Sequence, residues 1–269
     1  MSAYASHYQA CREAYGGTRD TTLYSDLYKL QVDTTILHCD EEYHNLVKVI
    51  AQKMGERFDT ETGCHLDDHG LALRLNEWRD IDEVSLFAEY VMPQLEEKVF
   101  GCHLKIEFLM PYRNRVTANS MQSSWVWHYD DCPKEFLKFA VHLSDVTEES
   151  GCMQYLTFPA GETPVLESSR LNPRQPGSPI FPRSRIPASV VDHVCSTGGL
   201  PQPLLGPPGS YAIFTPNIMH RATPPAPKST PRDAIFFYIR PALAKSGAYV
   251  SKSTKSFLPA YNTKQYDLD

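Results

Sequence analysis

The sequence is short of what several large protein classes need. No apolar run in its 269 residues approaches the roughly 18 required to cross a membrane. The first residues, MSAYASHYQACREAYGG, contain neither a basic n-region nor an apolar h-region, so no secretory leader is expected. Basic charge is in deficit: 26 Lys and Arg against 32 Asp and Glu give a net charge of −6, which provides no electrostatic reason to expect a nucleic-acid partner. The seven cysteines, Cys11, Cys39, Cys64, Cys102, Cys132, Cys152 and Cys195, are odd in number, scattered, and include no CxxC pair. That excludes a disulfide framework and favours reduced thiols in the cytoplasm. Internal repeats and an inter-domain linker are also missing.

What is present is a globular composition, 42% hydrophobic and 22% charged, with enough chain to bury a sizeable core as a single domain over 1–269. The first hundred residues read as mostly helical. From Asp40, a candidate N-cap, the residues Tyr43, Leu46, Val47, Ile50, Met54 and Phe58 form one apolar stripe at helical spacing. Asp80 with Glu83 resembles a capping box; Val84, Phe87, Val91, Leu95 and Val99 continue the stripe, Pro93 should kink or divide it, and Gly101 stops it. The acids Glu41, Glu42, Glu96 and Glu97 read as solvated helix positions.

After Gly101 the period becomes two. Leu104, Ile106 and Phe108 alternate with Lys105 and Glu107, and Phe139, Val141 and Leu143 alternate with Ala140 and His142. Tyr211–Phe214 and Ile235–Ile239 are further apolar runs, and SDVTEESG (144–151) reads as a hairpin turn. Many short strands in one half suggest a sandwich or barrel over 102–243, followed by a C-terminal extension over 244–269. The stretch 171–209 is too rich in Pro and Gly for core strand or helix, and a lid over a site is expected across 168–209.

The chemistry concentrates in SSWVWHYDDC. On a strand, His128 and Asp130 project from the same face, as a pair sharing a metal would. A third ligand must come from elsewhere, and His220, at the end of GSYAIFTPNIMH, is the best candidate. Two histidines and one carboxylate on one face of an octahedron leave three positions open, as in non-haem Fe(II) oxygenases. Arg232 opens the strand RDAIFFYIR and shares a face with Phe236, Tyr238 and Arg240; a buried guanidinium there calls for a carboxylate partner. Arg240 is its competitor for that role. Two other readings stay open: a cupin-type metalloenzyme that recruits His142 or His103, and a non-catalytic binding protein. Cys64, His65 and His69 in GCHLDDHG lack a second ligand pair, and Trp125 and Trp127 read as packing residues.

The segments WVWHYDD, FLKFAVHLSDVTEESG, GSYAIFTPNIMHRAT and PRDAIFFYIR, in this order and spacing, resemble the phytanoyl-CoA dioxygenase-like branch of the Fe(II)/2-oxoglutarate oxygenases over roughly residues 102–243. The resemblance implies a mainly β fold with flanking helices, a double-stranded β-helix or jelly-roll barrel with an N-terminal helical layer. It implies that His128, Asp130 and His220 bind Fe(II), that Arg232 holds the distal carboxylate of 2-oxoglutarate, and that Gln122 contacts that cosubstrate. Dioxygen is then the oxidant, and the outcome is hydroxylation of an aliphatic C–H; relatives that halogenate have a small residue where this chain has Asp130. One departure is CMQYLTFPAGET, which lacks the Pro-Gly-Ser-His ending usual in the family. Finally, Arg170, Arg174, Arg183 and Arg185 lie in an acid-free stretch, 168–185. They suggest an anionic or carrier-bound small-molecule substrate, with Arg183 and Arg185 as its contacts.

Overall fold

The computed structural model describes residues 3–16, 32–117, 123–133, 135–159, 161, 184–245, 247–251 and 254–256. Within them the protein is mainly β, with two antiparallel sheets and a helical layer on one of them. The helices are α1 (Ala3–Ala14), α2 (Glu41–Thr60), α3 (Asp82–Leu95) and α4 (Ala188–Ser196). None of them is long and apolar enough to cross a membrane.

The six-stranded sheet has the order β1-β2-β3-β9-β4-β7, formed by Cys64–Leu66, Ala72–Leu75, His103–Asn114, Asp233–Ala242, Leu137–His142 and Tyr211–Phe214. The three-stranded sheet has the order β6-β5-β8, formed by Leu200–Leu204, Met153–Thr157 and His220–Ala222. Helices α1 to α3 cover one face of the large sheet: Val47, Phe87 and Val91 share a core with Leu104, Phe139 and Phe237. The opposite face packs with the small sheet, where Phe108, Ala140, Phe214 and Phe236 meet Met153 and Leu204. Because both faces of the sheet are covered, by the helices and by the small sheet, every residue of β4 is buried, Lys138 and His142 included.

Several local expectations hold. Asp40 caps α2, accepting a hydrogen bond from the Tyr43 N–H at 3.1 Å, and Gly101 takes the left-handed conformation (φ 62°) that closes the helical stretch.

Others are corrected. The first hundred residues also contain β1 and β2, which extend the large sheet. Asp80 and Glu83 form no capping box: Ile81 is the N-cap of α3 without a side-chain cap, and Glu83 instead pairs with Lys53 at 2.7 Å. Pro93 lies inside α3 without ending it, and the helix gives way to a π-turn over Glu96–Phe100. Glu96 is buried, accepting from the Leu104 N–H at 2.9 Å and from Tyr249 Oη at 3.0 Å, so it anchors the start of β3.

The simple alternation of β3 breaks at a bulge between Ile106 and Phe108. Leu104 and Ile106 face the helices, whereas Phe108 and Tyr112 face the small sheet. A bulge moves the following residues to the other face, which no count of period two anticipates. Residues 144–151 are not a hairpin turn: β4 pairs with β7 and β9, and the chain crosses to the other sheet to start β5. The proline-rich stretch contains both α4 and β6. Pro201 and Pro203 fit in β6 because it is an edge strand, where a missing N–H costs no ladder bond on the open side.

Candidate metal centre

His128 sits in an extended segment, joined by isolated antiparallel bridges to His220 and to Arg185, rather than in a full strand. The His128 N–H donates to the His220 carbonyl and the His220 N–H to the His128 carbonyl, both at 2.9 Å. The Asp130 N–H donates to the Pro216 carbonyl at 3.0 Å. The segment therefore extends the small sheet beyond β8. Trp127 and Tyr129 turn to its other side and pack with Leu156, Ile186 and Met219. Trp125 is buried as well.

The three polar side chains face one another. Asp130 Oδ1 lies 3.7 Å from the Nε2 of His128 and 3.7 Å from that of His220. One ligand atom from each of the three lies within 4.8 Å of the others, a spacing that can hold a metal ion. Among the described residues this is the one such group of His, Cys, Asp and Glu.

The protons are arranged to suit. His128 Nδ1 is 2.8 Å from the Val126 carbonyl and His220 Nδ1 is 2.9 Å from that of Ile218. A carbonyl only accepts, so Nδ1 carries the proton in each ring and the Nε2 lone pairs point into the cluster. His220 Nε2 is buried without a hydrogen-bond partner among the described residues. A metal ion would satisfy it.

Electrostatics point the same way. Burial lowers the pKa of both rings, His220 to about 4 and His128 well below its ordinary value, so both are neutral imidazoles at neutral pH. Burial alone would raise Asp130, but Lys138 and the two histidines reverse it, and the carboxyl is held below its ordinary range. Lys138 Nζ lies 2.8 Å from Asp130 Oδ2, and Tyr238 Oη donates to the same oxygen at 3.0 Å.

His128, His220, Lys138 and Arg232 line one pocket, with Tyr112 and Arg221. Arg232 is buried; its Nη2 donates to Asn114 Oδ1 at 3.3 Å, and its Nε has no hydrogen-bond partner among the described residues. No carboxylate pairs with it among the described residues. Arg240, its competitor, is closed off, donating through Nε to Glu107 Oε2 at 3.0 Å. Glu107 is the residue skipped by the bulge.

The other singled-out residues fall as follows. His103 pairs with Glu96 at 3.3 Å, among the helices. His142 is buried on β4, its pKa lowered to about 4 by burial and by Arg232, and it is not part of the converging group. Cys64 and His65 lie on β1, at the edge of the large sheet. Arg185 is bridged through its backbone to His128. Gln122, Arg170, Arg174 and Arg183, and residues 168–183 of the expected lid, lie outside the described residues.

Lys138, Arg221 and Gln154 were not singled out in the sequence. Lys138 interrupts the apolar run FLKFAVH, and a lone lysine in a strand buried on both faces was its signal. Arg221 is held flat over the Trp127 ring at 4.6 Å, and its Nε and Nη2 donate to Gln154 Oε1 at 3.0 and 2.8 Å. Nothing local in the sequence pairs Arg221 with Gln154, since the contact is made across β8 and β5.

No protein-family model matches the chain, and no curated protein matches it in sequence. Solved structures do match. EctD from S. alaskensis, in its apoform, superposes with a TM-score of 0.52 at 14% identity, over 82% of this chain and 77% of that one. The non-haem α-ketoglutarate-dependent carbocyclase SnoK from nogalamycin biosynthesis gives 0.51 at 13% identity, over 83% and 85%. The chain shares their fold. At such identity the likeness concerns the path of the backbone and leaves the chemistry to the side chains.

Proposed function

We propose that the protein is a non-haem Fe(II)/2-oxoglutarate-dependent dioxygenase of the phytanoyl-CoA dioxygenase-like family, hydroxylating an aliphatic C–H of a small anionic molecule. One observation carries the reading: the two histidines of a His-Asp-His cluster and a buried arginine, with no acid paired to it among the described residues, line the same pocket. A structural ion-pair network would have closed both, as Glu107 closes Arg240. The α-ketoglutarate dependence in SnoK's name adds support through the shared fold.

In this reading His128 and His220 would hold the metal through Nε2 and Asp130 through Oδ1, a donor set that suits Fe(II). Iron with 2-oxoglutarate and dioxygen supplies the C–H oxidation; the protein supplies geometry, charge and exclusion of water. Arg232 takes the distal carboxylate of 2-oxoglutarate, a match of planar fork to planar anion. Tyr112, whose ring centroid is 5.3 Å from the guanidinium carbon, and Phe236 keep that end dry. Gln122 remains our candidate for a second cosubstrate contact. Because Asp130 is a carboxylate, hydroxylation is the outcome we assign. A cupin-type centre would need a third histidine and would leave Arg232 unexplained.

For the substrate, Arg221 offers a guanidinium fixed by Trp127 and Gln154 at the pocket wall, and we assign it, with Arg183 and Arg185, to an anionic or carrier-bound group. We take 1–269 as one domain whose two sheets close as a jelly-roll barrel. The seven free cysteines support a cytoplasmic setting. The test is conversion of 2-oxoglutarate to succinate by iron-loaded protein, supported by dioxygen and abolished in His220→Ala. Dioxygen uptake without succinate would favour the cupin-type reading, and neither would favour a binding protein.

A further inference from the structure

We propose that Lys138 is the built-in counter-ion of Asp130: it holds the carboxylate to one-oxygen ligation and does so at the expense of metal affinity. This rests on the metal-binding reading of the triad. The two oxygens of Asp130 are divided between two tasks. Oδ1 faces both histidine Nε2 atoms at 3.7 Å, whereas Oδ2 accepts from Lys138 Nζ at 2.8 Å and from Tyr238 Oη at 3.0 Å. Lys138 has little freedom to leave. Its backbone is the direct neighbour of Tyr238 on β9 and of Phe214 on β7, in the middle of the large sheet. Its ammonium lies 4.8 Å from the Phe236 ring centroid, 5.0 Å from that of Tyr238 and 5.7 Å from that of Phe214.

Three consequences follow from charge and geometry. A buried carboxylate beside two neutral imidazoles needs a cation, and Lys138 provides one whether or not a metal is bound. With Oδ2 taken by two donors, Asp130 cannot chelate through both oxygens, so it leaves open a coordination position that a cosubstrate needs. And a cation hydrogen-bonded to the ligand carboxylate repels a dication at the triad while favouring a dianionic cosubstrate beside it. Lys138 is thus a positioning residue whose removal should strengthen metal binding and weaken cosubstrate binding. A lysine that merely supports the fold would weaken both.

The opposite signs make the test. The full-length protein, Lys138→Met and Lys138→Arg are titrated with Mn(II) by calorimetry, and the Mn(II)-loaded proteins are then titrated with 2-oxoglutarate. Lys138→Met should bind Mn(II) roughly tenfold more tightly, the scale of one charged hydrogen bond, and should bind 2-oxoglutarate several-fold more weakly. Lys138→Arg, which keeps charge and donors, should return both values toward wild type. If Lys138→Met fails to fold by circular dichroism, Lys138→Gln carries the same expectation. Unchanged or weaker Mn(II) binding in a folded neutral variant overturns the proposal while leaving the metal site standing. Failure of the wild-type protein to bind Mn(II) contradicts the metal reading itself and removes the proposal with it.

Discussion

The two faces of the large sheet are made from the same strands and do opposite things. Toward the helices, Phe139, Val141, Phe237 and Ile239 pack with Phe87 and Val91 in a continuous apolar layer. Toward the small sheet, the same two strands present Lys138, His142 and Tyr238, and Arg232 lies one residue before β9. The first face is an apolar layer. The second contains buried polar atoms that have no hydrogen-bond partner among the described residues, His220 Nε2, His142 Nδ1 and Arg232 Nε. Buried polar groups are otherwise hydrogen-bonded as a rule, so their concentration on one face marks where the fold expects ligands.

Substitutions on the two faces should therefore separate stability from binding. The largest effect is expected from His128→Ala and His220→Ala, each of which should abolish metal binding at an open site while leaving the circular dichroism spectrum unchanged. On the other face, Phe139→Ala should cost about 3–5 kcal/mol in chemical denaturation and leave the metal stoichiometry intact. If a histidine variant instead unfolds with its metal still bound, the division between the faces is wrong.

The two arginines of β9 and its approach sharpen the same contrast. Arg240→Gln leaves Glu107 buried with only Lys255 at 2.8 Å, and should cost about 3 kcal/mol in stability without affecting 2-oxoglutarate. Arg232→Gln should weaken 2-oxoglutarate binding by about tenfold or more, the loss of a charged bidentate pair, with a smaller change in stability. Reversal of these two phenotypes would reassign the carboxylate site to Arg240.

A smaller effect is expected from pH. The folded-state pKa values of His142 and His220 are lowered to about 4 and that of His128 well below its ordinary value, in each case first by burial. The unfolded chain takes up these protons first as pH falls. Metal-free protein should therefore be fully stable above about pH 6.5 and lose up to about 1.4 kcal/mol per pH unit for each histidine on the way toward pH 4. Denaturation midpoints at pH 7 and pH 5 measure it, and a flat profile would mean that the rings are not buried as neutral groups.

Much of the site was legible because its signals are local. The i, i+2 spacing of His128 and Asp130, the histidine closing an apolar run and the arginine opening another are short-range features, and the structure brings their side chains to one place. The helical stripes of α2 and α3 were legible for the same reason. What escaped depends on pairing at a distance. Lys138 meets Tyr238 across a hundred residues of sequence, the bulge at Glu107 is stabilised by Arg240 and Lys255 from the far end of the chain, and β6 tolerates its prolines only as an edge strand. The turn after β4 has the composition of a hairpin, and only the strand order shows that it connects two sheets.

We propose that the cluster of His128, Asp130 and His220, together with Arg232, forms one site for Fe(II) and 2-oxoglutarate. Anaerobic addition of Fe(II) and then 2-oxoglutarate to the purified protein tests it most directly, by the weak visible charge-transfer absorption of the chelate. The band should develop only after both additions, be lost in His220→Ala, and require more 2-oxoglutarate in Arg232→Gln. A wild-type protein that binds Fe(II) but never develops the band, at any 2-oxoglutarate concentration, would contradict it.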